Sequence, residues 1–364
     1  MKKYFLLTLL FSIAVKASCG LNYFDYHAKM IQAEDSLIAG RVKSAFEIYK
    51  KTFTEYDFVF PRDCLIAAQF AYYHGDKDLS LAFLKKGFDW GLMPFHITRC
   101  PVFKNSDVTF LRRAEKEYLS GREKYLKKIN PDIVEKVLDI RWRDQLYKTI
   151  NKKYSFSKSG EVVFDSIRSQ NMELIAQLSL KYGFPGQRVI GIVHNNILQE
   201  LGRDSTMDLL NRYNSFPQKK EYHIDKVQFE LNSLSMLSND AFIGALLHHP
   251  CAFQKLGKEF LIKSIKSGFI HPNDYAVLYE AQSFRQYAKL LDGKIDSFSL
   301  HAICINDIYN GGYGIYRMYD KNDSIRINEN REKIGMCTMA HSSDFYLFAE
   351  KKNIIVRFGY MEWK

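Results

Sequence analysis

Hydrophobic positions in the first third of the chain recur at helical spacing, and the pattern repeats after 35 residues. Apolar residues at i, i+3 and i+4 predict amphipathic helices over Tyr26–Ala39 and Arg62–His74. The segments that follow them, AGRVKSAFEIYKKTF and HGDKDLSLAFLKKGF, can be aligned with each other. Each has a glycine, a small residue five positions later and a large apolar residue four positions after that. These residues are Gly40, Ala45 and Tyr49 in the first segment and Gly75, Ser80 and Leu84 in the second.

This spacing predicts two helical hairpins packed side by side. The glycine takes the left-handed conformation that ends a helix, and the small residue lets neighbouring helices approach closely. The large residue then fills the groove between them. Ala68 lies in an alanine stripe on the helix predicted over Arg62–His74, the first helix of the second hairpin. An arginine at this position is expected to disrupt the array.

The hairpin pattern resembles the tetratricopeptide repeat, whose period is about 34 residues. The resemblance covers Tyr23 to Gly121, with a degenerate third unit after Pro94. Because two units cannot bury their own faces, a cap is expected. The candidates for that cap are Val102, Phe103, Phe110 and Leu111. The resemblance implies a concave face that binds a peptide or a partner protein.

Helical patterns continue through the rest of the chain and weaken beyond about Asp292. Asn130-Pro131 is typical of a helix start, and a helix that opens at Asp165 ends at Gly183. Polar residues 152–160 predict a loop, and alternation over Ile354–Tyr360 predicts a short strand. Further helices are predicted at 193–202, 206–213, 241–249 and 258–268. The predicted fold is mostly α: a helical-hairpin array at 20–125, a second predominantly helical domain at 130–345, and an irregular or β C-terminal part at 346–364.

The second region resembles an uncharacterised bacterial domain family. The matching phrases are RWRDQLYK at 141–148, KYGFPG at 181–186, SGFIHPNDYAVL at 267–278 and INENREKIGM at 327–336. The chain departs from the family at Tyr279-Glu280, where an Asp-Arg pair is usual. The resemblance brings no assigned reaction, but it locates a candidate polar site. Its residues are Asp144, Gln145, His248, His249, Tyr313, Gly314, Asn330 and Arg331.

Several of these candidates also have a structural explanation. Asp144, which could position a substrate together with Gln145, could equally pair with Lys148 four residues on. His248 and His249 precede Pro250 at a helix end, where the helix dipole favours histidine. Two adjacent residues of a regular helix cannot easily bind one metal ion, but at a helix end this constraint is relaxed. Arg331 is suited to an anion or to nearby carbonyl groups. The sequence lacks a glycine-rich phosphate loop, an H-E-x-x-H motif and a G-x-S-x-G elbow, so no cofactor or metal is expected.

The N-terminal segment has the pattern of an export signal. Lys2 and Lys3 precede the apolar run Phe5–Val15, which is shorter than a membrane-spanning helix needs, so residues 1–18 are predicted to be a signal peptide. Cys19 offers a second interpretation, the lipid-modified first residue of a lipoprotein. We therefore expect a protein of the periplasm or cell envelope, free or anchored at Cys19. The other five cysteines form no C-x-x-C pair, so no zinc or thioredoxin-type site is expected. Most of them are expected to be buried, and one disulfide bond between two of them is an alternative.

Composition limits the remaining function classes. The chain is 46% hydrophobic and 26% charged, as in a folded protein, and its net charge is +11. The basic residues between Arg112 and Lys153 are interleaved with acids, which disfavours nucleic-acid binding. The leading hypothesis is an exported protein that docks a peptide or partner protein. The alternative is an envelope hydrolase that uses Asp144, His249 and Arg331.

Overall fold

The computed structural model of the chain describes residues 21–140, 143, 158–194, 197–203, 246, 255–280 and 321–356. Over these ranges the regular secondary structure is helical, without a β-strand. The prediction of a mostly α fold that begins with a helical-hairpin array is therefore confirmed.

Four helices form the two hairpins at the front of the chain. They are α1 (Tyr23–Ile38), α2 (Val42–Glu55), α3 (Pro61–Tyr73) and α4 (Lys77–Phe88). α1 packs on α2, and α3 packs on α4. Local sequence sets their starts: the Asn22 side chain accepts from Phe24 N–H, the Asp76 side chain accepts from Leu79 N–H, and Pro61 occupies the first turn of α3.

The two repeat glycines adopt the same helix-ending geometry. Gly40 has φ +73° and Gly75 has φ +84°, both in the left-handed region. At the second site, Gly75 N–H donates to the Tyr72 carbonyl and Asp76 N–H donates to the Ala71 carbonyl, at 2.9 and 3.0 Å. This pair of bonds satisfies carbonyl groups at the end of α3 and turns the chain into α4.

The small and large residues of the repeat lie between the helices. Ala45 and Ser80 are fully buried, and the Ser80 hydroxyl donates to the carbonyl of buried Ala68 at 2.9 Å. α3 and α4 therefore approach closely enough for a side chain to bond the neighbouring backbone. Tyr49 and Leu84 are buried as well, so the groove beside each small residue is filled by an apolar side chain.

A short helix, a 3₁₀ turn and a long helix follow the hairpins: α5 (Pro94–Arg99), Pro101–Phe103 and α6 (Val108–Lys128). Phe103 and Phe110 are buried and stack on each other at 5.8 Å between ring centroids, as expected for a cap. Leu111 is 41% exposed, so its predicted part in the cap is wrong. It follows Phe110 directly and therefore points about 100° away around the helix.

The second region is also helical where it is described. Its elements are α7 (131–140), α8 (Lys158–Tyr182), α9 (Gln187–Ile190), α10 (Ile197–Glu200), α11 (Lys258–Lys266) and α12 (272–280). α8 begins inside the segment predicted to be a loop, and the helix predicted at 193–202 is only the short α10. The predicted helices at 206–213 and, apart from Leu246, at 241–249 lie outside the described residues.

Two further helices, α13 (Lys321–Lys333) and α14 (Met339–Glu350), complete the described chain. α14 extends five residues past the boundary suggested at 345, because Phe345 and Ala349 continue a helical apolar spacing and are both buried. Residues 351–356 form the irregular C-terminal part. Of the predicted strand, 354–356 are in neither helix nor strand, and 357–360 lie outside the described residues.

Buried apolar side chains fall into two clusters. The first contains the array together with Phe345, Ala349 and Ile354 from the C-terminal part. The second begins at Tyr125 and includes side chains of α7, α8, α11 and α12. α6 contributes to both, since Ala114 belongs to the first cluster and Tyr125 to the second. The chain therefore returns at its end to complete the core of its beginning.

Cys64 and Cys100 are buried and free, and Cys337 is partly buried and also free. Cys19, Cys251 and Cys304 lie outside the described residues.

Candidate functional site

The first helices of the two hairpins, α1 and α3, share a face that the second half of the chain covers. We call it the α1–α3 face and define it by His27, Glu34, Arg62, Gln69 and Phe70. α3 is buried at every position from Pro61 to Ala71, including three polar side chains. Since Gln69 is fully buried and Arg62 is only 4% exposed, these polar groups need partners from another part of the chain.

At one end of the face, a glutamine binds the backbone of the C-terminal part. The Gln69 Nε2 donates to the Ile355 carbonyl at 2.8 Å, and the Ile355 N–H donates to Gln69 Oε1 at 2.9 Å. One carboxamide therefore pairs with both backbone groups of one residue, 286 positions further along the chain.

Next to Gln69, aromatic rings hold α14 on the face. Phe345 and Phe348 each stack on Phe70, with centroid distances of 5.8 and 5.9 Å. Lys352 lies over the Tyr73 ring at 5.1 Å, at the exposed edge of the same contact. Apolar stacking and backbone hydrogen bonds together seat residues 345–355 on α3.

In the middle of the face, His341 of α14 bridges two acids of α1. Its Nε2 lies 2.8 Å from Glu34 and its Nδ1 lies 3.0 Å from Asp35. Partial burial opposes protonation of the ring, but the hydrogen bonds and charges of the two acids outweigh it and raise the pKa of His341. The His341 imidazole therefore ties α14 to α1.

At the other end of the face, residues 271–274 approach the starts of α1 and α3. The imidazole rings of His27 and His271 lie 4.9 Å apart, nearly perpendicular to each other, and Phe60 packs against both. Asp274 Oδ1 lies 3.9 Å from Arg62 Nη1.

Tyr26 and Asp63 complete this polar cluster. The Tyr26 hydroxyl donates to Asp63 Oδ2 at 2.8 Å and accepts from Phe60 N–H at 3.3 Å. Burial raises the pKa of Asp63 to about 7, although Arg62 and the bond from Tyr26 both lower it. Burial and the charge of Arg62 lower the pKa of His27 to about 3, so this imidazole is neutral at physiological pH.

Most of the sequence-predicted polar site lies outside the described residues: Asp144, Gln145, His248, His249, Tyr313 and Gly314, as does Cys19. Asn330 is buried at 7% exposure. Arg331 is buried too, and its Nε donates to the Cys337 carbonyl while its Nη2 donates to the Ser342 hydroxyl, both at 2.6 Å. Arg331 therefore fixes the turn between α13 and α14, which matches the second of its two predicted roles, bonding to nearby carbonyl groups.

The polar residues of the α1–α3 face were not singled out from the sequence. His271 and Asp274 lie in the matched phrase SGFIHPNDYAVL, where His-x-x-Asp was a visible signal. Arg62 and Asp63 open an otherwise apolar helix directly after Pro61, which is a second signal. Neither signal shows that these two segments meet.

No three His, Cys, Asp or Glu side chains within the described ranges are arranged to hold a metal ion. Among the helices that the structure describes, none has the length and apolarity to cross a membrane. Comparison of the chain with family models, curated proteins and solved structures finds no match. The fold therefore defines a class of protein: a helical-hairpin protein whose own later segments cover its α1–α3 face.

Proposed function

We propose that this chain is a polypeptide-docking protein. Its α1–α3 face binds a segment of a partner, and its own residues 339–356 occupy that face until the partner segment replaces them. The observation that carries the proposal is the double hydrogen bond between the Gln69 carboxamide and the backbone of Ile355. The export signal predicted at 1–18 makes the partner a protein or peptide of the cell envelope.

Backbone recognition of this kind is not restricted to one sequence. A carboxamide presents an N–H donor and an oxygen acceptor side by side, and these match the carbonyl and N–H of any residue except proline. The aromatic platform of Phe70 adds a preference, because it stacks two rings spaced three residues apart on one helix. The expected partner segment is therefore a short helix with a Phe-x-x-Phe spacing, followed by non-helical chain.

The tethered segment has a large advantage over a free competitor. A ligand on the same chain acts at an effective concentration on the order of millimolar, so a partner must bind more tightly or meet a weakened tether. Phe345 is 5% exposed, and removing its ring weakens the tether by about 3 kcal/mol if the site behaves like a core position.

The test is binding of a fluorescent peptide with the sequence 339–356 to full-length variants, followed by anisotropy. Phe345→Ala is expected to bind this peptide at least about tenfold more tightly than the wild type, since the face is vacated more often. Adding Gln69→Ala to that variant should remove the gain. Leu347→Ala is the matched control, because Leu347 lies on the same helix but is 47% exposed.

A folded Phe345→Ala protein that binds the peptide no better than the wild type would contradict the proposal. If that variant does not fold, amide hydrogen exchange of the wild-type protein tests whether the C-terminal part leaves the face. The Ile355 amide should exchange through a local opening, faster than the amides of α3. Equal rates for the two would mean that the C-terminal part never leaves the face, and docking of a partner there would be ruled out.

A further inference from the structure

Arg62 is a buried guanidinium whose charge is only loosely paired. The side chain is 4% exposed, and its ion pair with Asp274, the one it makes among the described residues, spans 3.9 Å, longer than a hydrogen bond. Within the part of the chain that the structure describes, the buried Nη1 atom has no hydrogen-bond partner. Because a desolvated charge without close acceptors is strongly unfavourable, a bound anion that supplied those acceptors would stabilise this part of the fold.

A second buried donor faces the same place from another helix. His27 is 4% exposed, and its Nε2 has no hydrogen-bond partner among the described residues. The charge of Arg62 lowers the pKa of both His27 and His271, which places the two imidazoles near the guanidinium. α1 and α3 therefore bring two unpartnered polar groups to one point.

We propose that Arg62 and His27 form a binding site for a small carboxylate, which enters past His271. The planar guanidinium presents parallel N–H groups that match the two oxygens of a carboxylate. A neutral imidazole with its proton on Nε2 donates a third bond. His271 and Asn273 are partly exposed residues beside this cluster, whereas Arg62, His27 and Asp274 are buried, so we expect a compact ligand that enters on the side of His271.

The surrounding charges favour a monoanion over a phosphate. Asp274 lies beside Arg62, the charge of Glu34 contributes to the raised pKa of Asp63, and the charge of Arg62 acts on both Asp63 and Glu34. A doubly charged phosphate would meet three carboxyl groups, whereas a carboxylate adds one charge opposite the guanidinium. Tyr26, Tyr49, Cys64 and His271 are further titratable neighbours among the described residues. Burial raises the pKa of the two tyrosines and of Cys64 and lowers that of His271, so all four are neutral near pH 7.

Protonation of Asp63 strengthens the site. Burial raises the pKa of Asp63 to about 7, so below that pH the carboxyl group takes up a proton and one repelling charge disappears. Carboxylate affinity should therefore increase as the pH falls through 7. His27 does not oppose this trend, since its own pKa of about 3 keeps it neutral over the same range.

The test is an NMR titration of the full-length protein with acetate, read from the line width of the acetate methyl signal at constant ionic strength. Saturable binding is expected, and Arg62→Lys should weaken it at least about tenfold, because lysine keeps the charge but loses the paired donors. Arg122→Lys is the matched control. Arg122 is also buried, and its Nη1 likewise has no hydrogen-bond partner among the described residues, but its Nε donates to Glu200 at 2.7 Å. Its charge is therefore closely paired, and acetate binding should not change.

Inorganic phosphate is the second arm and should bind more weakly than acetate. The proposal fails if acetate shows no saturable effect up to about 0.1 M, if Arg62→Lys binds like the wild type, or if phosphate binds more tightly. Where Arg62→Lys does not fold, His27→Asn replaces it, and unchanged acetate affinity in that variant would also overturn the site. The docking proposal is tested at Gln69 and Phe345, at the other end of the α1–α3 face, and its test leaves Arg62 and His27 unchanged, so either proposal can fail without the other.

Discussion

His96 provides a quantitative test of the buried array. The side chain is 2% exposed, and its Nδ1 accepts from Met93 N–H at 3.0 Å. Burial lowers the pKa of His96 from 6.5 to about 3, an effect that the bond from Met93 opposes. The unfolded chain therefore takes up a proton on this residue as the pH falls below 6.5, while the folded chain does not until about pH 3.

The sign and size of the effect follow from proton linkage. Because the unfolded state binds the extra proton, acid removes stability from the wild type. Between about pH 7 and pH 5 this residue alone lowers the free energy of unfolding by about 2 kcal/mol. His96→Asn keeps an acceptor for Met93 N–H but cannot titrate. Its free energy of unfolding therefore does not include this decrease between pH 7 and pH 5. The variant should be less stable at pH 7, and its deficit should shrink by about 2 kcal/mol at pH 5.

Urea unfolding of both proteins at fixed ionic strength, in steps from pH 7 to pH 5, gives the two free energies of unfolding. Taking the difference between the proteins removes the contribution of groups that titrate alike in both. A deficit that stays constant across this range would show that His96 titrates normally in the folded chain, and the packing around α5 would then be wrong.

Two further outcomes test the array. Gly75→Ala should lower the free energy of unfolding by about 1–2 kcal/mol. The added Cβ meets nothing within 4 Å, so the loss comes from φ +84° alone, and an unchanged urea midpoint would contradict that conformation. Cys64 and Cys100 should not react with a thiol reagent in the native protein, because both are fully buried and burial raises the pKa of Cys100 to about 12. Rapid labelling of either without denaturant would show that this core opens.

The hairpin array could be predicted because its signals are local. Gly40 and Gly75 end their helices through hydrogen bonds between residues at most five positions apart. Ser80 is buried between the helices, as its spacing from Gly75 predicted. The apolar spacing of the second region predicted helices, but it misplaced their ends. α8 begins inside a predicted loop, since charge and polarity alone do not separate a solvated helix from a loop.

The α1–α3 face could not be predicted in the same way. Gln69 and Ile355 are 286 positions apart, and Arg62 and Asp274 are separated by a comparable length of chain. Each residue has an ordinary local explanation, so its partner becomes visible only when the helices are placed in space. Arg331 shows the opposite case: it had two predicted roles, and its bond to the Cys337 carbonyl matches the second, contact with nearby carbonyl groups.

By itself, the sequence determined where helices stop and which residues lie between them, because capping and periodic burial depend on a few neighbouring positions. Only the tertiary structure decided that the C-terminal part returns to the first hairpins, and that buried Arg62 lies close enough to His27 for its charge to lower the pKa of that imidazole. Long-range contacts of this kind depend on how whole helices pack against each other. A short stretch of sequence therefore cannot predict them.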